Sequence, residues 1–206
     1  ALAYADAVTV LRGGRSVLHA DTASLDERTV ITAMVGAHDV PRAAAAGERG
    51  AAIMRTDAVH VVDAHGVTRL REATVSVHAG EIVGLAGVDG SGQAELLRVL
   101  AGRLAATQGA VHAPARVGFV PGDRHRDALM LGASLTENYA LAAVGSGSGR
   151  VDWPAMREAT AALIAAYDVR GAAPSTVAAA LSGGNQQKFV VGRAIATAPS
   201  ALVIES

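Results

Sequence analysis

The chain has 206 residues, half of them hydrophobic and 18% charged, which is ample material for a folded core and not the make-up of a disordered chain. A net charge of -1 gives no electrostatic reason to expect nucleic acid, and the absence of cysteine excludes both a disulfide framework and a thiolate metal site. The seven histidines fall at no metal-ligand spacing, and no uninterrupted apolar run is long enough to cross a bilayer.

In chain order, AVTVLRGGRSVLHA places two apolar runs around Arg12, Gly13 and Gly14 and predicts a β-hairpin. Ser24 and Glu27 fit a capping box ahead of a helix that Gly36 ends. Residues 37–56 carry Pro41, Gly47 and Gly50 without a clear period and read as a linker. A second unit starts near Asp57, with β-rich runs ending in EIVGLAG (residues 81–87), a strand that leads into a glycine-rich turn and a helix. Short strands follow in VHAPARVGFVP. Ser134 and Glu137 form another capping box, SGSGR (residues 146–150) reads as a connector, and Asp152 caps a helix reaching about Tyr167, with Pro154 in its first turn. The chain closes on a loop, a helix and a strand-like ALVIES. Strands alternating with helices predict an α/β class. The chain opens mid-pattern and stops straight after an apolar run, so both ends read as cuts through a larger protein.

Two stretches carry chemistry. Residues 87–94, Gly87, Val88, Asp89, Gly90, Ser91, Gly92, Gln93 and Ala94, have the outline of a phosphate-binding loop. A glycine turn feeding a helix N-terminus aims backbone N–H groups at one point, where the helix dipole favours an anion. Gln93 stands where lysine would reach the terminal phosphates, and Ala94 where a hydroxyl would hold Mg²⁺. Taken alone, the loop is equally well a structural strand-to-helix turn. The second stretch is Leu181, Ser182, Gly183, Gly184, Asn185, Gln186, Gln187 and Lys188, with Ser182 set to cap a helix and two glycines leaving its backbone open to close approach. Its bland alternative is a serine cap with a glycine turn. Trp153, Met156 and Tyr139 read as core residues, and His65 as a solvated turn residue.

LSGGNQQK resembles the signature motif of ABC-transporter ATPases, and GVDGSGQA resembles the altered Walker A loop in the second nucleotide-binding domain of tandem ATPase subunits that serve bacterial sugar and nucleoside importers. GVDGSGQ points more to the nucleoside branch than to the pentose branch. PGDRHRDALMLGASLTENYAL resembles the PEDR-type loop of that subfamily, with Pro121, Gly122, Asp123 and Arg124 in the Q-loop place and Gly122 where glutamate is usual. The resemblance implies a P-loop NTPase core with a β-subdomain and a helical subdomain. Residues 1–36 would be the end of a first nucleotide-binding domain, 37–56 a linker and 57–206 most of a second. Glu205 takes the Walker B place, or lies one residue off it, and would touch Mg²⁺ through water. ATP and Mg²⁺ are the implied cofactors. The implied partners are the other nucleotide-binding domain of the same subunit, membrane permeases docking on the helical subdomain and, indirectly, a substrate-binding protein, at the cytoplasmic face of the membrane. In this family each ATP lies between one domain's Walker A and the other's signature, so the signature here would serve the site of the facing domain, and this chain alone would hold no complete catalytic set. Two alternatives stand beside this: a soluble tandem ABC protein acting on the ribosome, which the short linker argues against, and a non-catalytic remnant.

Overall fold

A computed structural model describes residues 2, 4–35, 49–144 and 150–205, which form two compact units, Ala1–Gly47 and Glu48–Ser206. In the first unit, strands β1 (Ala7–Arg12) and β2 (Arg15–Asp21) pair antiparallel. Gly13 and Gly14 make the turn at φ +57° and +77°, the doubly left-handed geometry of a two-residue hairpin loop. Helix α1 (Glu27–Val35) follows. Its cap differs from the expected one: Ser24 lies in a single 3-10 turn, Thr22–Ser24, and its hydroxyl donates to Asp21 O at 2.8 Å. Asp26 instead accepts from Thr29 N at 2.7 Å, because it stands immediately before the first helical residue. Gly36, residues 37–48 and most of the SGSGR connector lie outside the described residues.

The second unit begins inside the stretch read as a linker. Strand β3 (Ala52–Val62) pairs antiparallel with β4 (Thr68–His78) on one side and β5 (Gln108–His112) on the other. Along β3 the buried positions are Met54 and Thr56, then Val59 and Val61. The alternation changes phase at an irregularity where Ala58 takes φ +45°. A bulge rotates the strand by one residue, so both halves of β3 keep their apolar side inward. Gly109 of β5 lies against this bulge, and a Cβ there would come within 2.5 Å of the Asp57 and Ala58 carbonyl oxygens. Helix α2 (Gln93–Leu100) buries Leu96, Val99 and Leu100 against this sheet, in a core that also takes in Val203.

Strands β6 (Val117–Val120) and β7 (Ala201–Ile204) pair in parallel, Val117 with Ala201 through Val120 with Ile204. Between them in sequence come α3 (Arg124–Asp127), α4 (Leu135–Val144), α5 (Trp153–Ala166) and α6 (Gly183–Ala196). Phe189, Leu135 and Val190 centre a second core, and full burial of such a side chain contributes about 1.5–3 kcal/mol. The expected caps form here. Glu137 accepts from Ser134 N at 2.7 Å while Ser134 Oγ accepts from Glu137 N at 3.2 Å, and Asp152 accepts from Ala155 N at 3.1 Å. Trp153 is 46% exposed rather than core, since the first residue of α5 points past the packed face that Thr160 and Leu163 bury. Met156 and Tyr139 are half-buried.

Residues 81–87 do not form the expected strand. They run without a ladder partner among the described residues, and Ile82 is 99% exposed. An apolar cleft of about 440 Å³ is lined on one side by Ile82, Val83 and Leu85 and on another by β7. Apolar β-rich sequence makes a strand only where another backbone lies alongside to take its N–H and C=O groups.

Candidate nucleotide-binding site

The glycine-rich turn sits where the sequence places it, between the extended residues 81–87 and α2. Ser91 N donates to Val88 O at 3.1 Å, and Gly90 and Gly92 take φ +82° and +91°. Gly92 ends the loop. A Cβ there would lie 2.6 Å from Arg69 O, so only glycine lets α2 start this close to β4. The first intrahelical bond of α2 runs from Leu96 N to Gly92 O. The N–H groups of Gln93, Ala94 and Glu95 therefore have no acceptor within the helix and form its electropositive end. The side chains act against that potential. Asp89 and Glu95 are acidic, and residues 87–94 contain no cation.

Gln93 folds back over the loop. Its Nε2 donates to Val88 O at 3.1 Å, while Oε1 is buried without a partner. Ala94 offers no oxygen to a metal, and among the described residues no group of three potential metal ligands occurs. The donors the turn could offer an anion are its backbone N–H groups and the Ser91 hydroxyl, and any Mg²⁺ would have to arrive bound to that anion.

Pro121, Gly122, Asp123 and Arg124 lead from β6 into α3. Asp123 caps α3 by accepting from His125 N at 3.0 Å and Arg126 N at 3.1 Å. Gly122 faces Glu205, whose Cγ would be 3.4 Å from a Cβ on the glycine. Glu205 continues β7, its N–H donating to Val120 O, and its carboxylate accepts from Arg98 Nε and Nη2, both at 3.3 Å. Arg98 also bonds Asp127 at 3.1 Å. The Glu205 bonds hold the Arg98 guanidinium above its ordinary pKa. Arg98 was not singled out in the sequence. It lies 107 residues from its partner, a spacing that carries no local signal.

The signature stretch opens α6. Ser182 occupies the cap position with extended backbone, yet its hydroxyl makes no cap bond and accepts instead from Asn185 Nδ2 at 3.1 Å. Asn185 also bonds both backbone groups of Arg170. Gln186 is buried. Its Oε1 accepts from Arg124 Nε at 3.1 Å and lies 2.8 Å from His125 Nε2, and its Nε2 donates to Ala178 O. Ser182, Gly183 and Gly184 remain exposed, Leu181 is buried beneath them, and no side chain crowds Gly184. The structure therefore joins the 121–124 segment, Gln186 and Glu205 into one region. Among the described residues, no hydrogen bond ties residues 87–94 to residues 181–186.

Beside this region a cavity of about 600 Å³ is lined by Arg98, Arg103, Arg126 and Arg193, with Asp127 the one acidic residue on its wall. Burial and the neighbouring Arg103 push the Arg193 guanidinium down to about 10, so it stays charged at neutral pH. It donates to Asn138 O and Ala128 O. Asn138, also not foreseen, is 1% exposed and pins the turn before α4 through Met130, Ala133 and Ser134.

A glycine turn opening α2 and a second glycine-marked helix start at α6, on a mixed α/β fold, are the layout of a P-loop type of domain. The ABC transporter family model matches residues 70–205, and the chain belongs to that family. It is 33% identical to the guanosine import ATP-binding protein NupO of Bacillus subtilis (strain 168), over 96% of this chain and 42% of that protein. It is also 33% identical to the ribose import ATP-binding protein RbsA 1 of Streptomyces avermitilis, over 98% and 41%. The chain thus spans less than half the length of these relatives. A solved dimeric ATP-binding cassette in a post-hydrolysis state, bound to ADP and Pi, superposes with a TM-score of 0.62 at 19% identity over 74% of this chain and 73% of that one, a likeness of fold.

Proposed function

We propose that this chain is part of the ATP-binding subunit of an importer for nucleosides or sugars, and that it contributes a degenerate nucleotide site and a working signature. The observation that carries this is the contrast between its two helix ends. At α2 the loop has no cation, one acidic side chain with Glu95 just beyond it, and Gln93 turned in on Val88 O. At α6, Ser182, Gly183 and Gly184 are exposed, with open space at Gly184 and the Arg124 guanidinium beside Gly183. Delivered to an ATP held by a facing domain, the Ser182 hydroxyl and the α6 N–H groups would stabilise charge on the phosphates, the main protein contribution in phosphoryl transfer. Mg²⁺ would neutralise charge on those phosphates. Glu205 would reach a metal-bound water only by leaving Arg98.

The reading places the protein peripherally at the cytoplasmic face of the membrane. Among the described residues no helix is long and apolar enough to cross a membrane. The arginine-lined cavity between α2, β6, α4 and α6 is the surface we assign to the permease, which would present acidic side chains there. The test is Ser182→Arg in the complete subunit assembled with its permeases. The arginine places bulk where a phosphate must approach and removes the bond from Asn185 Nδ2, at a net cost of about 1 kcal/mol that the fold survives. ATPase activity and uptake should vanish while Gln93→Ala keeps both. A normally active Ser182→Arg transporter beside a dead Gln93→Ala one would mean the two sites are reversed.

A further inference from the structure

We propose that Gln93 is an internal latch on the phosphate loop, so that a phosphate enters only when the Gln93 amide swings out; this rests on the reading of residues 87–94 as a phosphate loop. The side chain leaves the first residue of α2 and turns back across the turn that precedes it. Its Nε2 donates to the carbonyl of Val88, five residues upstream, which already accepts from Ser91 N. The loop is thereby closed onto one of its own oxygens by two donors. The position that a Gly87 Cβ would take lies 3.3 Å from Gln93 Oε1 and 3.4 Å from Ser91 Cβ, so the amide oxygen sits within the span of the loop.

The orientation of the amide is set by its bond. Exchanging its oxygen and nitrogen would press Oε1 against Val88 O, acceptor against acceptor. Oε1 therefore faces the loop interior, where it is buried without a donor. A phosphate oxygen is also an acceptor, and it would have to occupy the region that Oε1 fills. The two exclude each other by volume and by charge. Lysine has three donors and no acceptor, and so presents no such obstacle. Glutamine thus turns a position that would attract phosphate into one that phosphate must displace. Displacement is reversible, because it breaks one neutral hydrogen bond and lets the orphaned Oε1 reach water.

The consequence has a sign. If Gln93 donated to phosphate, deleting its side chain would weaken binding. As a latch, its deletion strengthens binding. Calorimetric titration of the 206-residue chain with Mg-ATP should show Gln93→Ala binding about five- to tenfold tighter than the native chain, the worth of one net hydrogen bond. Alanine is a good helix former and should leave α2 intact, which circular dichroism checks. In the native chain, NMR should show the Gln93 side-chain amide protected from exchange and coupled through its hydrogen bond to the Val88 carbonyl, with both signatures lost on adding Mg-ATP. Weaker binding by Gln93→Ala, or an unprotected amide before ATP is added, overturns the latch and leaves the phosphate-loop reading standing. Absence of ATP binding by both chains overturns the phosphate-loop reading itself, and the latch with it.

Discussion

Alanine placed separately at Gly90 and at Gly92 separates two reasons for a glycine in the phosphate turn. Both residues hold a left-handed backbone, φ +82° and +91°, which costs a residue with a Cβ about 1–2 kcal/mol. At Gly90 nothing lies within 4 Å of the added carbon, so strain is the whole effect. At Gly92 the carbon meets Arg69 O at 2.6 Å and Leu70 Cδ1 at 3.0 Å. A backbone carbonyl in a paired strand cannot step aside, and overpacking of this kind adds about 1–3 kcal/mol. Gly92→Ala should therefore cost about 2–5 kcal/mol and Gly90→Ala about 1–2 kcal/mol. Against a typical total of about 5–15 kcal/mol, the first is a large fraction. Trp153 is the chain's single tryptophan and lies in the second unit, so urea unfolding followed by its fluorescence reports the unit that holds the loop. Equal losses for the two variants, within about 0.5 kcal/mol, would mean that α2 does not start against β4 as described.

Three further outcomes are expected. Gln93→Lys combined with Ala94→Thr restores a charged donor worth about 1.5–3 kcal/mol, so Mg-ATP should bind about one to two orders of magnitude tighter by calorimetry; unchanged affinity would show that residues 87–94 do not hold phosphate in this geometry. The 206-residue chain alone should hydrolyse no ATP above background in a phosphate-release assay, and robust Mg²⁺-dependent turnover would refute the shared-site reading. The third outcome concerns Glu137, whose pKa lies below its ordinary 4.5, chiefly because the Ser134 hydroxyl bonds its carboxylate. A folded pKa below the unfolded one contributes stability above the unfolded value and loses it as pH falls through the folded value. Ser134→Ala should accordingly cost more stability at neutral pH than at about pH 3, and a cost independent of pH would remove the charge from the explanation of this cap.

Much of this protein is determined by contacts within a few residues, and those parts are legible in the sequence. Gly13 and Gly14 announce the hairpin because a tight turn needs two positive φ angles in a row. The Ser134–Glu137 box and the Asp152 cap close over three residues. The glycines of residues 87–94 and 181–186 mark the starts of α2 and α6, so these two helix ends are visible without coordinates. What only the tertiary structure decided depends on groups far apart in the chain. Residues 81–87 have strand composition, but a strand is a pairing, and no described neighbour pairs with them. The first five residues of β3, Ala52 to Thr56, lie inside the stretch read as a linker because the strand's partners are in β4 and β5. Glu205 is held by Arg98 and Gln186 by Arg124, across 107 and 62 residues. The inward turn of Gln93 spans only five residues, yet its direction is a rotamer choice. Residue type names the donors and acceptors of that side chain, and only the folded loop decides which of them face inward.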